Sequence, residues 1–180
     1  MKTLMIPKPE LKALQAIMKR SKRGLQEALK HLIIQEGAIS ATDGRILLRI
    51  NKEAVPVGDF KDGVYEILKV IKTSAHMPAE LILSRREDLS GPKMETLFNA
   101  KTAKGPEPFP LKINAEPLTL TRAIIKLFDR FKEAYSYELL ETLGPLDREF
   151  TVSIVTDSGT LRLDNCNATA LLMPFQLDNE

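Results

Sequence analysis

The pattern that opens this chain returns 107 residues later. Leu4, Ile6, Leu11, Ala16, Ile17 and Lys19 match Leu111, Ile113, Leu118, Ala123, Ile124 and Lys126 without a gap. Both copies read alike: a short strand (Leu4-Met5-Ile6; Leu111-Lys112-Ile113), then a proline suited to a first helical turn (Pro9; Pro117), then an amphipathic helix. Leu11, Leu14, Ile17 and Met18 share one side of the first helix, and Leu120, Ile124, Leu127, Phe128 and Phe131 one side of the second. Two origins stay open: coincidence among common helix and strand residues, or duplication of a strand-helix-strands unit. Duplication constrains the fold far more. It predicts an α+β domain in which two helices lie side by side against antiparallel sheets built by the strands of both halves.

The remaining elements follow from breakers and turn signals. Ser21 to Gly24 stops the first helix, and Leu32-Ile33-Ile34 reads as a strand. Asp43-Gly44, between Ala38–Thr42 and Arg45–Ile50, is the dipeptide of a tight hairpin. Strands are predicted over 63–72, 79–86 and 93–101. The breaker-rich run Lys104-Gly105-Pro106-Glu107-Pro108-Phe109-Pro110 is the internal joint, dividing one domain of residues 1–180 into halves of about 1–105 and 106–180. Thr42-Asp43-Gly44 followed by Leu47-Leu48-Arg49-Ile50 recurs approximately as Thr156-Asp157-Ser158-Gly159 followed by Leu161-Arg162-Leu163.

Lys plus Arg outnumber Asp plus Glu by only 26 to 24, so placement matters more than net charge. Lys12, Lys19 and Arg23 fall within about 40° of one another, opposite the apolar stripe of their helix. Arg122, Lys126 and Arg130 form a second row at spacings of four, diluted by Asp129 and Glu133. Either row alone is the ordinary solvated face of a helix; two rows on matching helices would make a broad positive surface that suits phosphates.

Other classes find little support. Apolar runs fall far short of the roughly 20 residues a membrane helix needs, and Met1-Lys2-Thr3 lacks a signal-peptide core, which predicts a cytoplasmic protein. Cys166, His31 and His76 are too few and too scattered for a disulfide, a metal site or a nucleophile–base pair, and no glycine-rich phosphate loop is present. Turn geometry accounts for Asp43 and Asp157. The expectation is a protein that binds rather than catalyses, without cofactor or metal.

Several stretches resemble one family. Ala41-Thr42-Asp43-Gly44-Arg45-Ile46-Leu47 resembles the ATDGHRL stretch of the bacterial DNA polymerase sliding clamp, the β subunit. The segment from Phe150 to Leu177 is similar to that family's closing hairpins, with their YVVMPMRL-like end. MKTLMIPKPELKALQAI is similar to the strand and helix that open clamp domains. The resemblance covers roughly half of the chain and leaves about 51–107 unplaced.

It implies a non-enzymatic tether for duplex DNA, with Lys12, Lys19, Arg23, Arg122, Lys126 and Arg130 as the phosphate-facing set. It also implies a hydrophobic cleft for polymerase or repair-protein peptides, walled by Gly44, Arg45 and Leu47 on one side and Leu171, Met173, Pro174 and Phe175 on the other. Met and Leu suit varied apolar anchors; equally, Leu171, Met173 and Phe175 are spaced to alternate onto the core face of a final strand. Clamps of this family carry three domains per chain, so a ring from this chain would require a homo-oligomer. A clamp-fold protein-binding module that does not encircle DNA is the alternative. Gln176 stands where the family has arginine, and Asp178 and Glu180 add charge near the cleft.

Overall fold

Alternating apolar residues dictate most of the strands, and the computed structural model, which describes residues 1–21, 26–71, 73–94, 98, 106–155 and 159–175, joins them into one ten-stranded sheet. In chain order the elements are β1 (Lys2–Ile6), α1 (Lys8–Arg20), β2 (Leu32–Gln35), β3 (Ala38–Thr42), β4 (Ile46–Ile50), β5 (Gly63–Ile71) and β6 (Ala79–Arg85). Then follow β7 (Phe109–Ile113), α2 (Pro117–Phe131), α3 (Tyr137–Leu143), β8 (Arg148–Ile154), β9 (Leu161–Asp164) and β10 (Ala168–Leu172). The sheet order is β1-β6-β5-β2-β3-β4-β10-β9-β8-β7, and every neighbouring pair is antiparallel.

This order carries a repeat at the level of topology. Strands β7, β8, β9 and β10 form a plain meander, with α2 and α3 between its first two strands. Strands β1, β2, β3 and β4 would do the same, except that the β5–β6 hairpin is inserted between β1 and β2. The two sets meet where their last strands pair, Leu48 opposite Ala170 and Leu47 opposite Leu171. Residues 63–85, which the resemblance did not place, are therefore an extension of the first set.

Burial corrects the register of the repeat. Leu4 and Ile6 are buried on β1, as are Leu111 and Ile113 on β7, so an offset of 107 holds for these strands. It fails in the helices: Leu11 is buried but Leu118 is exposed, whereas Glu10, Ala13 and Ile17 correspond in burial to Leu120, Ala123 and Leu127. The approach to α2, Asn114-Ala115-Glu116, is two residues longer than the Pro7 that precedes α1, and the burial pattern in the helices matches at an offset of 110 instead of 107. By order of elements the Asp43-Gly44 hairpin corresponds to the β9–β10 turn at Asn165-Cys166-Asn167, not to the β8–β9 turn; Thr156, Asp157 and Ser158 lie outside the described residues.

The main core lies between the helices and one face of the sheet. Ile39, Ala41, Leu48, Ile50, Phe150, Leu161, Leu163, Ala170 and Leu172 point into it, joined by Leu14 and Ile17 from α1 and Leu120 and Leu127 from α2. The two long helices are bridged by α3, which packs against both; the sequence reading had them side by side. Phe128, predicted on the core face of α2, is half exposed. At 100° per residue it lies about 80° from the Leu120–Leu127–Phe131 side, with Thr121.

Two further expectations change. No strand occurs among the described residues of 93–101; Met94 and Phe98 are instead helical. The breaker run also ends inside a strand, because Phe109 and Pro110 belong to β7. Pro110 is tolerated there since, among the described residues, β7 is an edge with β8 as its only neighbour, and an edge strand has a side that needs no N–H donor.

Candidate functional site

The Asp43-Gly44 turn is built by its own side chains. Asp43 Oδ1 accepts from the N–H groups of Arg45 and Ile46, each at 2.9 Å, and Thr42 Oγ1 accepts from Gly44 N–H at 3.1 Å. Gly44 adopts φ +90°, a left-handed conformation glycine takes without strain. Asp43 Oδ2 in turn pairs with Arg20 Nε at 3.0 Å, and Arg20 Nη1 reaches Glu138 at 3.1 Å. The end of α1 thus holds both the hairpin and α3. Partial burial works against the charge of Arg20, but the two carboxylates outweigh it and raise its pKa.

The segment that leaves β10 is fastened to this turn. Met173 N–H donates to the Arg45 carbonyl at 2.9 Å, and Phe175 N–H donates to the Ala134 carbonyl at 2.7 Å. On the far side Tyr135 donates its hydroxyl to the Gly159 carbonyl at 2.7 Å, and burial, then the nearby Glu133 charge, push its pKa up, so it remains a neutral donor. A Cβ on Gly159 would lie 3.3 Å from Glu133 and 3.6 Å from Pro174, so these loops are in close contact. Gly44, Arg45, Met173, Pro174 and Phe175 therefore come together from distant parts of the chain. Met173 and Phe175 are 49% and 50% exposed, two large apolar side chains half open to solvent within three residues.

Leu47 and Leu171 do not join that open surface. They sit directly opposite each other on β4 and β10, facing away from the main core, and both are buried in a second cluster with Ile33, Val155, Met94 and Phe98. The parity of β10 explains this: Ala168, Ala170 and Leu172 take the core face, leaving Leu171 for the outer one.

The basic rows divide as follows. Lys12 and Lys19 are exposed, about 180° around α1 from its buried side, and Arg122, Lys126 and Arg130 are exposed on α2. Arg23 lies outside the described residues, as does Gln176. Among the described residues, Lys12, Lys19, Arg122 and Lys126 enter no ion pair, while Arg130 donates to the Glu107 carbonyl at 3.2 Å. Lys126 and Arg130 border a shallow depression with Phe109 and Asp129. Sequence reasoning missed the neighbours of this row: Leu118 and Ile125, 62% and 54% exposed, occupy the outermost ridge of α2. Their spacing of seven was readable as a second apolar stripe.

The candidates for chemistry are scattered. His31 lies between the Glu27–Lys30 turn and β2, 3.7 Å from Glu27; His76 is exposed in the β5–β6 loop; Cys166 is exposed at the β9–β10 turn. Among the described residues no helix is long and apolar enough to cross a membrane.

Neither a protein-family model nor a curated protein matches the sequence. Solved structures do match. The Helicobacter pylori β clamp bound to a DNA ligase peptide is similar at TM-score 0.54 and 12% identity, over 97% of this chain and 66% of that one. A Pseudomonas aeruginosa DNA polymerase sliding clamp gives 0.54 at 12% identity over 97% and 66%, and a DNA polymerase III subunit β of the same organism 0.52 at 14% over 98% and 67%. This chain spans about two thirds of the length of the clamps it matches. At such identities the likeness lies in the backbone, and it extends over nearly the whole of this molecule. With helices on one face of a continuous antiparallel sheet and a strand-helix-strands order run twice, the chain has the α+β fold of the bacterial DNA polymerase III β sliding clamps.

Proposed function

We propose that this protein is a clamp-like, non-catalytic tether: one domain of two similar halves that captures peptides of replication or repair proteins and holds them on duplex DNA. The observation that carries the reading is the joint between the Asp43–Arg45 turn and the Met173–Phe175 segment. It presents two half-exposed apolar side chains beside a hairpin turn held by its own side chains, on a fold whose Helicobacter pylori representative is bound to a DNA ligase peptide. Gly44, Arg45, Met173, Pro174 and Phe175 form the open part of this cleft. Met173→Asp, with the fold intact by circular dichroism, should weaken binding of a DNA ligase peptide about tenfold, since a carboxylate cannot be desolvated under an apolar anchor. Undiminished binding removes Met173 from the cleft.

DNA would run along the exposed sides of α1 and α2 through Lys12, Lys19, Arg122, Lys126 and Arg130. Low net charge is compatible with loose, sequence-independent contacts. Lys19→Glu with Lys126→Glu should weaken duplexes of any sequence alike and lower the slope of log K against log salt by about 2. An unchanged slope takes these lysines off the DNA surface. Encirclement requires several copies, so a strict monomer by light scattering together with salt-insensitive duplex binding ends that part of the proposal. A second reading, a clamp-fold protein-binding module that does not surround DNA, is favoured by Leu118 and Ile125, which place exposed apolar groups beside the basic row of α2.

A further inference from the structure

The apolar strip on β10 does not stop at Leu171. Met173 N–H still pairs with the Arg45 carbonyl, one step beyond the Leu172–Ile46 pair, so by alternation Met173 follows Leu171 on the outer side; Leu171 is covered and Met173 is half exposed. The cover is the link from β6 to β7. Those strands stand eight positions apart in the sheet, about 38 Å at the usual spacing, and two described residues of the link, Met94 and Phe98, are buried on the outer face, opposite the helices.

Its contacts are those of a docked peptide. At Gly91 the backbone comes so close that a Cβ would lie 3.3 Å from Ile33 and 3.4 Å from Val64. The Gln35 amide grips the backbone twice, donating to the Pro92 carbonyl at 3.1 Å and accepting from Met94 N–H at 3.1 Å. Met94 and Phe98, four residues apart and helical, are both buried with Ile33, Leu47, Val155 and Leu171. Arg162 donates to the Phe98 carbonyl at 2.8 Å, and the Arg49 guanidinium lies 5.2 Å from the Phe98 ring centre. Two apolar anchors, with polar side chains holding the backbone around them, are how a short helical peptide is bound in a groove. This cluster is also separate from the main core, on the opposite side of the sheet.

We infer that Met94 and Phe98 are an internal ligand: they fill the deep half of the peptide cleft, over Leu47 and Leu171, and an incoming peptide must displace them to use it. The inference rests on the cleft reading above for the identity of the incoming peptide, but not for the internal occupancy. It also defines the preferred visitor as a helical segment with a flexible apolar residue and, four positions later, an aromatic one.

The test uses the full chain carrying Met94→Ser and Phe98→Ser together, and two fluorescent probes followed by anisotropy: a synthetic peptide copying residues 91–101, and a DNA ligase peptide. The 91–101 peptide should bind the double variant at least about tenfold tighter than the native chain, and the ligase peptide should gain similarly. A folded variant that does not take up the 91–101 peptide overturns the inference. Equal binding of the ligase peptide to both chains also overturns it and leaves the cleft reading standing. Uptake of the 91–101 peptide without any ligase-peptide binding to either chain supports the internal ligand and removes the cleft reading. Should the double variant fail to fold, Gln35→Ala with Arg162→Ala loosens the cover and leaves its apolar anchors intact. A gain of about threefold in ligase-peptide binding is then expected, and no gain overturns the inference.

Discussion

Arg148→Met should destabilise the protein by about 3–5 kcal/mol, read as a lower urea midpoint at unchanged slope. Glu10 lies in the first turn of α1 and is 1% exposed, and its carboxylate accepts from Arg148 Nη2 at 2.6 Å. With its amide oxygen turned toward the guanidinium, Asn167 also accepts from Arg148 Nη1, at 2.5 Å, and its carbonyl accepts from Asn51 N–H at 2.8 Å. One guanidinium therefore joins the first helix, the start of β8 and the β9–β10 turn. Without it a buried carboxylate has lost its counter-charge, and that desolvation penalty is the source of the loss. Replacing both partners, Glu10→Met with Arg148→Met, should recover most of the stability, because apolar groups of similar volume carry no such penalty. A loss below about 1 kcal/mol for Arg148→Met alone would show that the pair contributes little.

The second large effect is expected at Phe150. It is 1% exposed, the largest of the fully buried side chains, and sits on β8 opposite Leu111 of β7. Phe150→Ala removes its transfer energy and leaves a cavity, costing about 3–5 kcal/mol and lowering Tm by roughly 10 °C. Phe128→Ala is the control. Being half exposed, Phe128 should cost no more than about 0.5 kcal/mol when truncated. Similar losses at the two positions would mean that α2 is turned differently, with Phe128 in the core as its periodicity alone implies.

That contrast shows where the sequence was legible. Features decided by neighbours in the chain were readable: the Asp43-Gly44 hairpin, the stop at Ser21, β5, β6 and the proline-opened helices follow from local turn chemistry and period. Features decided by distant partners were not. The seven residues of α3 are too few to show a clear period, and their helical state depends on packing against α1 and α2. Met94 and Phe98 read as strand residues because nothing local reports the sheet they cover. Leu171 was spaced correctly for alternation, but which parity faced the helices was fixed only by pairing with β4. The same holds for the cleft. Of the residues proposed for it, Gly44, Arg45, Met173, Pro174 and Phe175 belong to segments joined by backbone hydrogen bonds, whereas Leu47 and Leu171 lie beneath a segment with no recognisable motif.

The meeting of β4 and β10 also orders events in time. While the chain is being made, β4 emerges with β3 already beside it and nothing on its other flank, because its partner is encoded far downstream. Until β10 arrives, the middle of the future sheet is an exposed strand edge carrying Ile46, Leu47, Leu48 and Ile50. Closing it requires the whole second set of strands, so this pairing is a late, long-range step, before which the growing chain is open to sticking to its neighbours. The strand that leads into the proposed cleft is thus also the strand that covers the open edge of β4.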